Sequence, residues 1–273
     1  MSPYILENLQ HIQNIEQVGF NIIDQLNIGI NIVEGRDGQP AFLTNLRDRL
    51  ILENHIILNR EEIIELVNDV NGLYSSKEIC VLILCWGIYF TVVYPQGILG
   101  LSLFLNSEDD LFFDNLRNQI HIVDYQEPNE IVQLFNSFQY QQPNYIPGVG
   151  YAFFTKFFFF FSDGNNLPIL DKWLTKAFMY LVHTDEDVNE NQRINLTHAI
   201  SNQDSPFGTF TLRRDKPNFY HSYFSYMHSQ LNEINNQIDH PILLSDLETF
   251  LFGWPLNGNG GYENPRNVYN QFF

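Results

Sequence analysis

The chain has 273 residues, 44% of them hydrophobic, and a formal net charge of −18. This length and apolar content suffice for the core of one large or two small domains, and the many phenylalanines and tyrosines argue against extensive disorder. Fourteen basic residues stand against thirty-two acidic ones. Because the overall field repels nucleic acid, a DNA-binding role would require the few cations to gather on one face.

Helical spacing of apolar residues recurs along the chain and predicts a mostly α fold. A helical pattern over the first thirty residues ends at the glycine-containing segment 34–38, and the segment 97–105 is ambiguous between a strand and a buried helical turn. The other predicted helices cover 44–58, 59–70, 78–94, 108–118, 127–140, 151–161, 171–183, 191–201, 218–236 and 245–252. We expect an N-terminal helical region (1–125), a second helical region (126–256) and an irregular tail (257–273).

The apolar run 79–94 predicts a buried helix rather than a membrane span, since it is shorter than the ~20 residues that a spanning helix needs and is closed by Pro95. Cys80 and Cys85 lie in this run without a nearby histidine, which favours two buried thiols over a disulfide or a metal site. The N-terminus lacks the pattern of a secretory leader, which predicts a cytoplasmic protein.

The most informative segment is 147–171. The turn Pro147-Gly148-Val149-Gly150 precedes an aromatic helical run, and a polar turn then leads to Pro168-Ile169-Leu170-Asp171, with twenty residues between Gly150 and Asp171. Glycines adopt backbone angles closed to other residues, so the turn can lie against another molecule, and the N–H groups that open the next helix can face a phosphate. A Gly-x-Gly turn between two helices, followed at this distance by a carboxylate at a helix start, resembles the helix-hairpin-helix superfamily of DNA base-excision glycosylases.

The resemblance implies a helix-hairpin-helix DNA glycosylase-like fold over 126–256. The residues that it would place on the DNA backbone are Gly148, Val149 and Gly150. In this superfamily an ionised aspartate stabilises the positive charge that develops on the sugar after the base has rotated out of the duplex. The segment 168–171 is similar to the one that carries this aspartate in adenine and 8-oxoguanine glycosylases, so Asp171 is the expected catalytic carboxylate. Its alternative role is that of a plain helix N-cap.

The sequence departs from the superfamily pattern at its lysine. Bifunctional 8-oxoguanine glycosylases carry a Schiff-base lysine two residues after the second glycine of the turn, and this chain has Ala152 there. Lys156 lies one turn further on the same helix face, and the neighbouring phenylalanines would favour a neutral, nucleophilic amine. The phrase Ala-Phe-Phe-Thr-Lys is similar to that of a bacterial group with an 8-oxoguanine-glycosylase fold. The alternative is a lysine that extends to the surface of a buried helix.

The segment Glu248-Thr249-Phe250-Leu251-Phe252 is similar to the helix whose phenylalanine stacks on the extruded base in 8-oxoguanine glycosylases. This match implies that Phe252 stacks on the base and that Glu248 accepts hydrogen bonds from a purine edge. Core packing is the alternative for Phe252.

The candidate DNA-binding cations begin with Lys172 and Lys176, which lie one helical turn apart. A nearby loop and helix start would add Arg213, Arg214 and Lys216. The histidines show no metal-ligand spacing and no glycine-rich nucleotide loop is present, so we expect neither a metal nor a cofactor.

Two hypotheses follow. The first is a DNA glycosylase, with or without AP-lyase activity. It would excise a damaged or modified base, above all an 8-oxoguanine-like purine, from double-stranded DNA and bind plain duplex weakly. The second is a catalytically silent protein of the same fold that serves a protein partner as a binding or regulatory subunit, for instance in a defence system. The net charge and Ala152 favour the second hypothesis.

Overall fold

A computed structural model of the protein describes residues 2–13, 19–69, 72–197, 200–201, 211–212, 216–253 and 265–272. Over these ranges the fold is mostly α, as predicted. The helices are α1 (Pro3–Glu7), α2 (Leu9–Gln13), α3 (Ile22–Glu34), α4 (Ala41–Leu52), α5 (Arg60–Asn68), α6 (Ser76–Trp86), α7 (Tyr89–Val92), α8 (Pro95–Ser107), α9 (Asp110–His121), α10 (Pro128–Ser137), α11 (Tyr151–Phe161), α12 (Lys172–Thr184), α13 (Glu190–Thr197), α14 (Lys216–Asn235), α15 (Leu244–Phe252) and α16 (Pro265–Phe272). Two antiparallel pairs join the short strands β1 (Phe20–Asn21), β2 (Ile57–Leu58), β3 (Ile200–Ser201) and β4 (Thr211–Leu212).

The chain forms two compact units, each assembled from separate stretches of sequence. Unit 1 comprises Met1–Glu16, Asp124–Phe135 and Gly164–Phe273, and unit 2 comprises Gln17–Val123 and Asn136–Asp163. The expected boundary at residue 125 therefore lies beside one boundary between the units. The stretch that carries α11 belongs with the N-terminal helices, because α11 packs on α5, α6 and α9.

The core of unit 2 is built around α11. The five consecutive phenylalanines 157–161 are at most 2% exposed. A helix that is apolar on every side needs partners on every side, and α5, α6 and α9 supply them. Cys80 and Cys85 lie on α6 as buried free thiols, as the sequence predicted.

The apolar run predicted as one helix over 78–94 is divided into α6 and α7. The interruption is at Gly87 and Ile88, where Ile88 adopts a left-handed conformation with φ 54°. Such a conformation is strained for a β-branched residue, so the surrounding packing must hold it. The ambiguous segment 97–105 is helical and belongs to α8, which begins with Pro95 in its first turn, where proline suits a helix. No helix within the described ranges combines the length and the apolar character that crossing a membrane requires.

Unit 1 is centred on α12, which packs on α15 and α16. The helix α16 occupies residues 265–272, where the sequence analysis expected an irregular tail. Tyr269 explains the difference: its ring is fully buried and its hydroxyl donates to the Leu251 carbonyl oxygen at 3.1 Å. A short helix with few apolar residues is stabilised here by tertiary contacts, which the local sequence pattern does not reveal.

Candidate functional site

The predicted turn before α11 is present. Either Gly148 or Gly150 was expected to have a positive φ, and Gly148 has it, at 79°. Its backbone lies against Gly97 of α8, and the hydroxyl of Tyr89 on α7 donates to the Gly148 carbonyl oxygen at 3.1 Å. A Cβ atom at Gly148 would overlap the carbonyl oxygen of Gly97 and lie 2.8 Å from the Tyr89 hydroxyl. Packing within unit 2 therefore requires glycine at this position.

The other two residues of the turn differ in what they present to solvent. Val149 is buried, whereas Gly150 is exposed. Gly150 is the N-cap of α11, with an extended φ of −82°, and a Cβ atom there would meet nothing within 4 Å. Of the three residues predicted to hold the DNA backbone, Gly150 is thus the one whose backbone a large ligand can approach directly.

Asp171 is the N-cap of α12. Its Oδ1 accepts hydrogen bonds from the backbone N–H groups of Trp173 at 2.8 Å and Leu174 at 2.9 Å. The side chain is half-buried. A helix N-terminus is a favourable place for a negative charge, so the capping role and the proposed electrostatic role of Asp171 are compatible.

Buried side chains from two helices hold the loop that precedes Asp171. On α14, the Tyr220 hydroxyl donates to the Pro168 carbonyl oxygen at 2.8 Å and the Tyr223 hydroxyl donates to the Ile169 carbonyl oxygen at 2.9 Å. On α15, Glu248 Oε1 accepts from the Ile169 N–H at 2.6 Å. The carbonyl groups of Pro168 and Ile169 and the N–H group of Ile169 are therefore held by side chains before the chain reaches α12.

Glu248 lies at the base of this loop and is fully buried. Its contact with the Ile169 N–H makes it a positioning residue for the loop, and its predicted role at a purine edge remains a prediction.

His228 makes a further hydrogen bond to this loop. Its Nε2 lies 2.6 Å from the Asn166 carbonyl oxygen and therefore carries the proton. Burial lowers the pKa of His228, and the hydrogen bond to Asn166 partly opposes this shift.

Lys156 lies on α11 in unit 2 and is only 6% exposed, so its side chain does not extend into bulk solvent. Its Nζ donates to the Ala152 carbonyl oxygen at 3.0 Å and lies 5.7 Å from the Phe153 ring centroid. The side-chain stem passes over Gly87, since a Cβ atom there would lie 2.7 Å from Lys156 Cε. The amine thus lies one helical turn N-terminal to the Lys156 backbone. It is beside Ala152, which occupies the position of the superfamily lysine.

Three cations surround the Trp173 ring in unit 1. Lys172 Nζ lies 5.6 Å from the ring centroid and Lys176 Nζ lies 5.3 Å from it. Arg266 of α16 places its Cζ 4.5 Å from the same centroid. We call Trp173, Lys172, Lys176 and Arg266 the Trp173 cluster. Sequence reasoning found the two lysines but missed Arg266 and Trp173, because the arginine approaches from a helix almost a hundred residues away in the chain.

Arg266 also contacts the predicted base-stacking residue. Its Cζ lies 4.3 Å from the centroid of the Phe252 ring, and its Nε donates to the Phe252 carbonyl oxygen at 2.7 Å. Burial lowers the pKa of Arg266, whereas the negative charge of Asp171 raises it. The catalytic candidate, the cluster and Phe252 are therefore linked through one guanidinium group.

The other cations predicted to bind DNA are described only in part. Arg213 and Arg214 lie outside the described residues, and Lys216 opens α14. Among the side chains that the structure describes, no group of three or more histidine, cysteine, aspartate or glutamate residues could hold a metal ion.

Comparison with known proteins adds the family. Residues 43–252 match the model of a family described as "Putative 8-oxoguanine DNA glycosylase OGG-like protein", and the chain belongs to this family. The match confirms the superfamily resemblance that the turn and Asp171 indicated, and it covers parts of both units. The chain matches no curated protein and no solved structure.

Proposed function

We propose that the protein is a DNA glycosylase that excises a damaged or modified base, an 8-oxoguanine-like purine above all, from double-stranded DNA. The N-glycosidic bond breaks, its electron pair leaves with the base, and the Asp171 carboxylate stabilises the positive charge that develops on the sugar. Water then adds to C1′ in a monofunctional reaction. In a glycosylase/lyase, Nζ of Lys156 adds instead and forms an imine with the opened sugar.

The position of Asp171 is the observation that carries this proposal. A carboxylate that stabilises developing charge works best when it needs no reorganisation during the reaction. The helix N-terminus holds Oδ1, and Tyr220, Tyr223 and Glu248 fix the loop in front of it. Membership of an 8-oxoguanine-glycosylase-like family supports the same role, and the exposed backbone of Gly150 suits the proposed contact with the DNA backbone.

The test is incubation of the protein with duplexes that each carry a different modified base, followed by alkali to cleave abasic sites. Asp171→Asn should abolish base release and leave the melting temperature within a few degrees of the wild-type value, because asparagine also caps helices. Asp109→Asn is the matched control, since Asp109 caps α9 by accepting from the Phe112 N–H at 3.3 Å. Base release that survives in Asp171→Asn would remove Asp171 from the mechanism.

The second candidate function is a catalytically silent binding or regulatory subunit of the same fold. Ala152, at the position of the superfamily lysine, is the observation that favours it, together with the acidic composition. A silent protein would release no base from any modified duplex and would bind each of them no better than plain duplex. The same incubation therefore separates the two functions.

A further inference from the structure

We propose that the Trp173 cluster is a binding site for the phosphate group of a nucleotide, with Arg266 as a ligand-binding residue that completes it. The proposal deepens the proposed function and rests on it for the choice of nucleotide as the ligand class. It adds Arg266 and Trp173 to the two lysines, and it assigns the site a stated chemistry.

Positive charge is concentrated at the Trp173 cluster. Each of the three cationic groups lies within 5.6 Å of one ring centroid, so any two of them lie within about 11 Å of each other. This is close to the screening length at moderate salt, so their fields overlap. In a chain with a net charge of −18, three cations on one indole ring are a local concentration of positive charge.

These cations lie in a partly buried environment that an anion can still reach. Lys176 is only 5% exposed, and its pKa is lowered first by burial and second by the charge of Lys172. The two lysines therefore repel each other in a partly desolvated place, and an anion bound between them would relieve this repulsion. Trp173, Lys172 and Arg266 are half-buried rather than enclosed, which leaves an anion access to the cluster.

The groups that would contact the anion are side chains of the cluster. Trp173 and Leu174, in the first turn of α12, already donate their N–H groups to Asp171. The Arg266 guanidinium is held by its bond to the Phe252 carbonyl oxygen and by two aromatic rings, and a fixed guanidinium suits the oxygens of a phosphate.

The cluster lies close to the proposed reaction centre. Asp171 Oδ1 accepts from the backbone N–H of Trp173 at 2.8 Å, so a phosphate at the cluster would lie near the carboxylate proposed to act on the sugar. A nucleotide has its sugar next to its phosphate. The cluster would thus position the nucleotide whose glycosidic bond faces Asp171.

The first experiment measures thermal unfolding of the full chain in inorganic phosphate and in chloride at matched ionic strength. Phosphate should raise the melting temperature of the wild-type protein by about 2 °C or more, because a ligand that binds only the folded state stabilises it. Lys172 is half-buried and does not belong to α16, so Lys172→Gln leaves Arg266 in place. This variant should lose most of the shift. Arg47→Gln is the control, since Arg47 pairs with Asp48 on the surface and should keep the full shift.

The second experiment distinguishes the sources of the phosphate. Binding of a deoxynucleoside 5′-monophosphate and of a short duplex with a tetrahydrofuran abasic analogue is measured in wild type, Lys172→Gln and Arg266→Gln. We expect each substitution to weaken binding about tenfold for at least one of these ligands. Equal stabilisation of wild type and Lys172→Gln by phosphate, or no stabilisation of either, would overturn the inference.

The outcomes of the two proposals are separable. Excision that depends on Asp171 but shows no dependence on Lys172 or Arg266 would leave the proposed function standing and overturn the phosphate site. Phosphate binding that requires both residues, without release of any base, would support the site and overturn the glycosylase. Binding of the free nucleotide but not of the duplex would support the site and redirect the search for a substrate to free nucleotides.

Discussion

Lys156 is held by two contacts that can be tested separately. Its Nζ donates to the Ala152 carbonyl oxygen, and its stem lies over Gly87. If Lys156 is the amine nucleophile, borohydride should trap a covalent protein–DNA adduct, and Lys156→Gln should lose it. Gly87→Ala should lower the yield of adduct several-fold while the amine remains, since the added Cβ displaces the side chain. Gly87 has an ordinary φ of −76°, so its backbone accepts alanine.

Lys77 provides the matched control for this prediction. It is also a buried lysine of unit 2 whose Nζ donates to a backbone carbonyl, that of Glu108. Lys77→Gln should therefore trap as the wild type does. An adduct that persists in Lys156→Gln would assign the nucleophile to another amine.

His228 makes the loop before Asp171 sensitive to acid. Its pKa is lowered from the usual 6.5 in the folded protein, mainly by burial, so the unfolded chain takes up this proton at a higher pH than the folded chain does. The stability that His228 contributes is complete above pH 6.5 and declines as the pH falls from there toward the pKa in the folded state.

The measurement is the melting temperature of wild type and His228→Gln from about pH 7.5 down to about pH 5. Glutamine can donate to the Asn166 carbonyl oxygen but does not titrate, so the wild-type protein should lose a few degrees more than the variant over this range. His221, whose pKa is also lowered by burial, is present in both proteins and does not affect the difference. Parallel curves would show that His228 does not control the acid response.

At the scale of structural elements, the turn before α11 contains one glycine that packing requires, Gly148, and one that is proposed to contact DNA, Gly150. Gly148→Ala should destabilise the protein by about 3 kcal/mol or more, because φ is 79° and the new Cβ would overlap the Gly97 carbonyl oxygen. Gly150→Ala should change the free energy of unfolding by less than about 1 kcal/mol, since its φ is ordinary and its surroundings are open.

The same pair tests the contact with DNA. If the Gly150 backbone lies on the DNA, Gly150→Ala should weaken duplex binding several-fold in a protein of nearly wild-type stability. Denaturant unfolding and duplex binding of both variants provide the comparison. A Gly150→Ala variant that binds duplex as well as the wild type would place the contact elsewhere.

Where local sequence alone determines an element, the sequence predicted it. The start of α5 follows from the reciprocal bonds between Asn59 and Glu62, and the burial of α11 follows from its phenylalanines. Asp171 as a helix start and Gly148 at positive φ belong to the same class. Each of these features can be recognised from residue types within one or two helical turns.

The features that sequence did not predict depend on distant contacts. Ile88 interrupts an apolar run that would otherwise continue as a helix, and α16 forms where the local pattern is weak. The contacts of Glu248 with Ile169 and of Arg266 with Trp173 join positions 79 and 93 residues apart. No spacing rule links such positions. The side chains that hold the loop before Asp171 and the members of the Trp173 cluster are therefore recognised only in the three-dimensional structure.

At the scale of the whole molecule, the charge sets the conditions under which DNA binding can be seen. If each of the three cations, Lys172, Lys176 and Arg266, neutralises one phosphate of a duplex, with the phosphate of the target nucleotide among them, the slope of log affinity against log salt is about −2.7. A fourfold rise in salt should then weaken duplex binding roughly 40-fold. Binding should therefore be detectable only at low salt, and best with the cognate modified base.

A salt titration of duplex affinity measures this slope. Removing Lys172 should reduce its magnitude by about one, because each lost phosphate contact removes one counterion-release term. A response that stays flat or undetectable with every modified base would favour the silent subunit.

The two thiols of α6 bear on how the protein withstands oxidation. Burial raises the pKa of both Cys80 and Cys85 well above the usual value for a thiol, so almost no thiolate is present at neutral pH. Peroxides react with the thiolate, and both sulfur atoms are also shielded from solvent. In the native protein neither cysteine should react with a thiol reagent, whereas both should react after denaturation. A protein built in this way keeps both sulfur atoms of α6 reduced under oxidising conditions, for as long as it stays folded.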